Sequence, residues 1–557
     1  MKLKDLFRSV IFAIIALISF SCEGVLDQKP RGVLADGTLN EEFTDKLVTA
    51  SYQGLATHFF GNYESFVGPS TNWVMDVRSD DAWKGGGGIS DLIDVHQLEV
   101  SAHDATNDVA FHKWRNTLYA IARTNLAIRE LNKLSSPTYP VNSRIAEMRF
   151  LRGVFHFDLK RNFNQIPYLL ENTDPLVASN TEYTDNEILA LIETDLQFAY
   201  DNLPATQEQV GRATKYAAAA FLQKLYLHAE DWSKAKSTGE TIINSGKYSL
   251  LTDYENLSTL AYENGAEGVF VVQYSTANIY ANHNWSNLLN STSGPGIDNG
   301  GYASGDDFYH ASQNLVNSFK TDQNGHPLFS SFNEGTAVED ATYSGTLDPR
   351  LDFTVGRIGI PWKGTANYDQ NWIRSMDYYP GFSGKKHVVA PNDPMVHNSW
   401  PWAASGLNFN VIRYADVLLM TAEANIELGN TVTGIALINQ VRLRAKNSTY
   451  VANLTTGMDA ANYKVEPYST SGWSQPDARI AVRFERRLEL ALEGHRWYDL
   501  LRWGELPTRM NSYYTSEALR KEYLEGAIFT SGRDEFLPIP QNEIDLAPTL
   551  YTQNPGY

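Results

Sequence analysis

The stretch "RRLELALEGHRWYDLLRWG" (Arg486–Gly504) places charged and aromatic side chains on a segment with helical spacing. Arg486 and Glu489 are i, i+3 neighbours, and charges so placed can pair on a helix surface. Glu493 and Arg496 have the same spacing. One apolar helix face is formed by Phe484, Leu488, Ala491, Leu492 and His495. A continuous apolar face predicts that these charges satisfy one another and nearby backbone in a scaffold, instead of forming an active site.

Gly494 interrupts this helical pattern. Glycine costs about 1 kcal/mol inside a helix relative to alanine. The sequence therefore predicts either a helix boundary or a tight contact at this position.

Similar apolar faces recur elsewhere and are followed by short turns and second helices. One face consists of Ala218, Phe221, Leu222, Leu225 and Ala229, and another of Ala415, Leu418, Leu419, Ala422 and Ile426. In the first unit the second helix starts at Asp231 and ends at Ser245–Gly246, and in the second it covers Ala436–Ala445. A looser third unit joins Ala146–Leu159 to Asn186–Leu203. Helix–turn–helix units of this length are typical of tetratricopeptide-like repeats, here not in tandem.

Residues 250–410 separate the two clear units and differ from them in composition. This stretch is rich in Gly, Asn, Ser, Asp, Pro and aromatic residues, and Glu267–Ser275 alone reads as a buried strand. Long irregular segments in a compact protein are usually functional or disordered. The aromatic content argues against disorder, so we expect loops and short strands with a function.

The N-terminus has the pattern of an export signal. Basic residues precede the apolar stretch Val10–Phe20, which is too short to span a bilayer as a stable helix, and the only cysteine, Cys22, follows it. We expect cleavage before Cys22 and its acylation; the alternative is an ordinary secretory signal with an incidental cysteine. The net charge of −19 disfavours nucleic acid as a partner.

Sequence motifs for catalysis and cofactor binding are lacking. There is no HExxH motif, no cysteine cluster, no P-loop spacing and no GxSxG elbow, so we expect no metal and no cofactor. Asp80 and Asp81 are a candidate acid pair, although adjacent carboxylates more often form a solvated or capping pair. A glycosidase pair among the 65 acidic residues cannot be identified by counting.

Several segments together resemble the SusD/RagB family of outer-membrane nutrient-binding lipoproteins. They are "RSDDAWKGGG", "AEMRFLRGVFHFDLKRNFNQIPYL", "GRATKYAAAAFLQKLYLHAEDW", "VIRYADVLLMTAEAN", "ERRLELALEGHRWYDLLRWG" and "PIPQNEIDLAPTLYTQNPGY". The resemblance implies a mainly α fold: a tetratricopeptide-like helical hairpin scaffold with a long irregular loop and short-strand insertion that forms the ligand-binding region. The expected divisions are a lipoprotein signal peptide at 1–21 and one SusD-like domain at 22–557, with its scaffold at about 40–250 and 405–557 and its insertion at about 251–405.

The same resemblance implies a function and partners. Such proteins are not enzymes; they are anchored on the outer surface of the outer membrane by a lipid and pass glycans to a TonB-dependent, SusC-like transporter. We therefore expect this chain to capture oligo- or polysaccharide and deliver it to such a transporter. A peptide-binding member of the family is the alternative, and a surface glycosidase is a less favoured one.

A glycan site combines flat aromatic surfaces, which stack on sugar C–H faces, with fixed polar groups that bind hydroxyls. Tryptophans in helical motifs, namely Trp114, Trp232, Trp497 and Trp503, are expected in the core. The resemblance places ligand contacts in the early loop and the middle insertion. The expected ligand-binding residues are Trp73, Asp80, Asp81, Trp83, Trp285, Trp372, Arg374 and Trp400.

Overall fold

The structure is a computed structural model of the chain. It describes residues 40–56, 68, 73–277, 283–284, 289–292, 305–379, 381–390, 393–394, 396 and 405–557. The predicted signal segment, Cys22, Trp285 and Trp400 lie outside the described residues.

The first half of the described chain is helical. Its helices are α1 (Glu41–Ser51), α2 (Trp73–Val77), α3 (Ile93–Glu99), α4 (Asp108–Lys133), α5 (Val141–Phe163), α6 (Asp185–Asn202), α7 (Lys215–His228) and α8 (Trp232–Asn244). Several start at side chains that cap free backbone N–H groups. Thr184 forms a reciprocal capping box with Glu187 at the start of α6, and Asp231 accepts from Lys234 N at the start of α8.

Short elements comprise β1, which lies between α2 and α3, and those of the middle of the chain. They are β1 (Ala82–Gly85), β2 (Gly268–Val272), β3 (Phe308–Ala311), α9 (Gln313–Ser318), α10 (Arg350–Thr354), β4 (Val355–Arg357), β5 (Pro361–Trp362), β6 (Ala366–Asn367), β7 (Phe382–Gly384) and β8 (Phe409–Arg413). The strands form antiparallel pairs β1–β3, β2–β8, β4–β7 and β5–β6. Trp83 lies opposite His310 in the first pair, so the early loop is joined to the insertion.

The C-terminal part returns to helices. They are α11 (Tyr414–Glu427), α12 (Thr431–Asn447), α13 (Gln475–Leu490), α14 (Arg496–Arg502), α15 (Leu506–Glu517) and α16 (Gln541–Leu546). No helix within the described ranges is both long and apolar enough to cross a membrane.

The predicted hairpins are confirmed as α7–α8, α11–α12 and the looser pair α5–α6. In space α8 packs against α11, which brings together two hairpins that the insertion separates in sequence. One apolar core runs from Val48 in α1 to Ile539 near the C-terminus. The expected fold class, a mainly α scaffold with tetratricopeptide-like hairpins and an irregular insertion, is confirmed.

The stretch Arg486–Gly504 is not one continuous helix. The helix α13 ends at Leu490, and α14 starts at Arg496. Between them Leu492 and Gly494 adopt positive φ angles of 57° and 78°. The prediction that one helix face extends from Phe484 to His495 is therefore wrong, and the helix boundary expected at Gly494 is confirmed.

Candidate functional site

Asp80 and Asp81 lie in the interior against the C-terminal helices. Arg496 donates to both oxygens of Asp80, at 2.7 and 2.9 Å, and Arg487 Nε donates to Asp81 Oδ1 at 2.7 Å. Burial alone would raise the pKa of Asp80, but Arg487 and Arg496 hold it well below its usual range. Both carboxylates are less than 2% exposed. The expectation that they contact ligand is corrected: they anchor the loop before β1 to the scaffold.

Glu489 is the centre of a second buried group of charges. Its carboxylate accepts from Arg413 and Arg444, and from Arg350 Nη1 at 3.0 Å. Burial alone would raise its pKa, but Arg444, Arg413 and Arg350 hold it well below its usual range. Every one of these side chains is at least 95% buried. The charges of the C-terminal stretch therefore stabilise the fold, as the sequence predicted.

The early tryptophans are also interior. Trp73 is 3% exposed and lies 5.8 Å from the ring of Tyr309, and Trp83 is 2% exposed. The ammonium group of Lys521 lies 4.1 Å from the Trp83 ring centre. The expectation of exposed stacking surfaces is corrected for both, because β3 and α15 cover the segment that the sequence suggested was an open loop.

The loop that follows β1 is held from the inside by Lys84. Its ammonium donates to the carbonyl oxygens of Gly85 at 3.1 Å, Gly88 at 2.7 Å and Asp91. Burial lowers the pKa of Lys84 to about 8. Three carbonyl acceptors replace the water that this cation has lost, so residues 85–91 form a fixed platform.

Arg374 of the insertion lies on this platform. Its Nη1 donates to Asp91 Oδ2 at 2.9 Å and its backbone N–H donates to Asp307 Oδ2 at 2.7 Å. Asp306 Oδ1 is 3.8 Å from the same guanidinium group. The side chain is 38% exposed, and its Nη1 also donates to the carbonyl oxygen of Asp306 at 3.3 Å.

Two aromatic residues, Trp372 and Tyr378, precede and follow Arg374 in the same segment. Trp372 is partly buried, with its ring edge-on to Tyr368 at 5.5 Å. Tyr378 is 41% exposed and packs on Gly88, where a Cβ atom would come within 3.2 Å of the ring. Lys521 donates to the carbonyl oxygen of Tyr378 at 2.8 Å, which fixes the end of this segment.

We call residues 85–91 together with 306 and 370–378 the candidate surface. It contains the partly buried Trp372 and the exposed Tyr378, together with a guanidinium group and carboxylates on supported backbone. Such a combination suits a ligand with apolar ring faces and hydroxyl groups. The structure thus brings Arg374 to the early loop, with Trp372 in the same segment of the insertion, but buries Trp73, Trp83, Asp80 and Asp81.

The sequence reasoning did not identify Asp91, Asp306 and Tyr378. Their role depends on contacts between residues distant in sequence, 283 residues for Arg374 with Asp91 and 68 for Arg374 with Asp306. The local signal near Asp91 is the run of four glycines, Gly85–Gly88, which is typical of a loop. Within the described ranges, no group of three or more His, Cys, Asp or Glu side chains is arranged to hold a metal ion.

Comparison with known proteins gives two family matches. A family described as "SusD family" matches residues 266–557, and one described as "Starch-binding associating with outer membrane" matches residues 47–227. A SusD-like protein of Formosa agariphila is 26% identical and covers 98% of this chain and 99% of its own length.

Two solved structures have the same fold. A "Laminarin binding SusD-like protein" has a TM-score of 0.69 at 24% identity and covers 93% of this chain and 100% of its own. "Surface glycan-binding protein A from Bacteroides thetaiotaomicron in complex with laminarihexaose" has a TM-score of 0.67 at 20% identity and covers 92% of this chain and 99% of its own.

Proposed function

The chain belongs to the SusD family, and from that premise we propose that it captures oligo- or polysaccharide at the cell surface and delivers it to a TonB-dependent outer-membrane transporter. The names of its relatives support glycan as the ligand class: one is called laminarin-binding, and another is a glycan-binding protein in complex with laminarihexaose. The description of the second matching family supports a place at the outer membrane.

The observation that carries the binding proposal is the fixed position of Arg374 in a segment that also carries Trp372 and Tyr378. Asp91 and Asp307 hold the residue on a platform that Lys84 organises. A sugar ring stacked on Trp372 or Tyr378 would have its hydroxyl groups within reach of a preoriented donor. Preorganised polar groups beside aromatic faces bind with little ordering cost.

Substitution of Trp372 tests this site. We expect Trp372→Ala to weaken binding of the glycan that the parent protein selects from an array by about 30-fold, because losing a central aromatic contact costs about 2 kcal/mol. Isothermal titration measures the affinity, and circular dichroism confirms folding. Trp473→Ala is the matched control: this ring is also partly buried, but packs on Tyr468 before α13.

The outcomes separate the site from the function. A folded Trp372→Ala variant that binds within twofold of the parent would move the site elsewhere. Selection of extended peptides and of no glycan would replace the glycan proposal with the peptide-binding alternative.

The proposal includes a lipid anchor at Cys22 and a transporter partner. One acyl chain gives only marginal membrane binding, so stable anchoring requires more than one. Cys22→Ala should release the protein from membranes in a strain that lacks the transporter, and full retention would contradict the anchor. Mild detergent extraction of the native protein should recover a barrel in stoichiometric amount; recovery of the protein alone in several detergents would contradict the partner.

We also propose that the protein binds its glycan without cleaving it. Glycosidases need two carboxyl groups facing the scissile bond, and the suggested pair, Asp80 and Asp81, is committed to buried arginines. After incubation with the protein, the glycan that it binds should have an unchanged chain length, as measured by chromatography. Shorter products, abolished by one carboxylate substitution, would establish an enzyme.

A further inference from the structure

The charge balance of the insertion bears on which glycans can bind. Residues 251–410 contain sixteen acidic and seven basic side chains. The basic residues are Lys320, Arg350, Arg357, Lys363, Arg374, Lys385 and Lys386. A site for uronate or sulfate groups requires cations that are free to meet them, so the contacts of these seven decide the question.

Apart from Arg374, the insertion has two arginines, Arg350 and Arg357, and both are buried. Arg350 donates to Asp348 Oδ2 at 2.7 Å and Arg357 donates to both oxygens of Asp352 at 2.7 Å. Each is fully enclosed. Neither guanidinium group is available to an anion in solvent.

Three of the lysines are interior as well. Lys385 donates to the carbonyl oxygen of Pro361 at 3.1 Å, Lys386 to Glu493 Oε1 at 2.6 Å, and Lys320 to the carbonyl oxygen of Glu334 at 3.1 Å. All are less than 9% exposed. Their positive charge serves the fold.

Of the two remaining basic side chains of the insertion, Lys363 is partly buried and Arg374 is exposed. Lys363 Nζ donates to Ser258 Oγ at 2.7 Å, and burial, followed by the charge of Lys385, lowers its pKa to about 7. Arg374 is the basic group on the candidate surface, and its charge is opposed there by Asp91 and Asp306. Asp369 and Asp377 add two exposed carboxylates to the same segment.

Besides Arg374, the described surroundings of the candidate surface include the cation Lys521, which is buried and donates to the carbonyl oxygen of Tyr378. On the platform side, Lys84 is buried on backbone carbonyls. Among the solvent-accessible charged side chains of the candidate surface, Asp91, Asp306 and Asp377 therefore outnumber Arg374, and an excess of negative charge repels anionic ligands.

We propose that the candidate surface takes uncharged glycans and excludes glycans that carry carboxylate or sulfate groups. This inference rests on the proposed function. Hydroxyl groups of a neutral sugar can donate to Asp306 and Asp377 and accept from Arg374. A carboxylate or sulfate group at the same place would be repelled by the negative charge of these aspartates. The positive charge of Arg374 would not compensate, because Asp91 and Asp306 already oppose it.

Matched polysaccharides test the exclusion. The purified protein is titrated with laminarin, amylopectin and galactan, and with sulfated laminarin, alginate and polygalacturonate, at low salt. We expect binding within the neutral set and at least about tenfold weaker binding of every anionic probe. An anionic probe that binds as tightly as the best neutral one overturns the exclusion but leaves glycan capture standing. No binding to any probe, together with selection of peptides, overturns both.

A charge variant identifies the cause. The double variant Asp306→Asn/Asp377→Asn should raise the ratio of anionic to neutral affinity by several-fold, and added salt should reduce the difference from the parent because it screens exposed charges. The matched control Asp201→Asn/Glu208→Gln removes the same charge from the α6–α7 side and should leave the ratio unchanged. An equal change in the control, or no change in the surface variant, overturns the assignment to this surface.

Discussion

At the scale of single residues, the charge of a side chain did not predict whether that side chain is exposed to solvent. Asp80 and Arg374 are both charged residues in segments that the sequence suggested were loops. The structure buries the first in an ion pair with Arg496 and leaves the second 38% exposed. The sequence could identify Arg374 as a ligand candidate because loops carry function. It could not separate the two, since the partner of Asp80 is 416 residues away.

Asp76 shows how a buried carboxyl makes stability depend on pH. It accepts from Tyr309 and from Gly494 N at 2.8 Å, and burial, followed by the charge of Asp81, raises its pKa to about 7. In the unfolded chain the value is about 3.9. The folded state therefore binds the extra proton between these values. The stability that Asp76 contributes is present below about pH 4 and is lost as the pH rises through about 7.

Replacing this carboxyl should change the pH dependence of unfolding. In the parent, the raised pKa of Asp76 makes the unfolding free energy fall by up to about 1.4 kcal/mol per pH unit within that window. We expect Asp76→Asn to lack this fall. Urea unfolding between about pH 5 and 8 measures the slope for the parent, for Asp76→Asn and for the exposed control Asp201→Asn. Burial lowers the pKa values of His156 and His495 to about 3, so the stability that these residues contribute rises with pH. The effect of Asp76 is therefore measured as the difference in slope between the parent and Asp76→Asn. Identical slopes for parent and Asp76→Asn would contradict the raised pKa.

At the scale of elements, periodicity predicted the helices well and their interruptions less well. The spacing of apolar residues found α7, α8 and α11, since a helix face is a local property. The break between α13 and α14 follows a long-range contact, because Gly494 N–H is held by Asp76. The sequence could name Gly494 as a possible boundary, but not the segment that meets it.

Gly239 marks the closest approach of α8 to its neighbours. A Cβ atom there would lie 2.0 Å from Thr421 Oγ1 and 2.2 Å from Gln223 Nε2, two groups that form a 2.8 Å hydrogen bond. Alanine ordinarily favours a helix over glycine by about 1 kcal/mol. Here we expect Gly239→Ala to destabilise the protein by about 1–3 kcal/mol, because the added methyl overpacks the junction of the two hairpins.

Chemical unfolding measures this effect. Ser237→Ala, at an exposed position of the same helix, is the control and should be nearly neutral. A Gly239→Ala variant at least as stable as the parent would mean that α8 and α11 can separate at low cost.

At the scale of the whole molecule, buried ion pairs connect parts that are distant in sequence. Glu489 of α13 accepts from Arg350 of the insertion, from Arg413 at the end of β8 and from Arg444 of α12. Family motifs in the sequence predicted the architecture, because motif order constrains the fold. The ligand surface depends on how the insertion folds back onto the early loop, and composition alone does not specify those pairings.

Removing the charge of Glu489 should therefore affect the whole fold. Breaking a buried pair by removing one partner costs about 3–5 kcal/mol, because the remaining charges stay buried without compensation. We expect Glu489→Gln to lose about that much stability and, since the insertion and the hairpin share this carboxylate, to melt in one calorimetric transition at a lower temperature. The control is Glu466→Gln, whose partner Lys446 forms an exposed pair with it at 2.6 Å and should contribute about 0–1 kcal/mol. A second transition at the parent's temperature, or equal losses in the two variants, would show that the insertion is stabilised independently of α13.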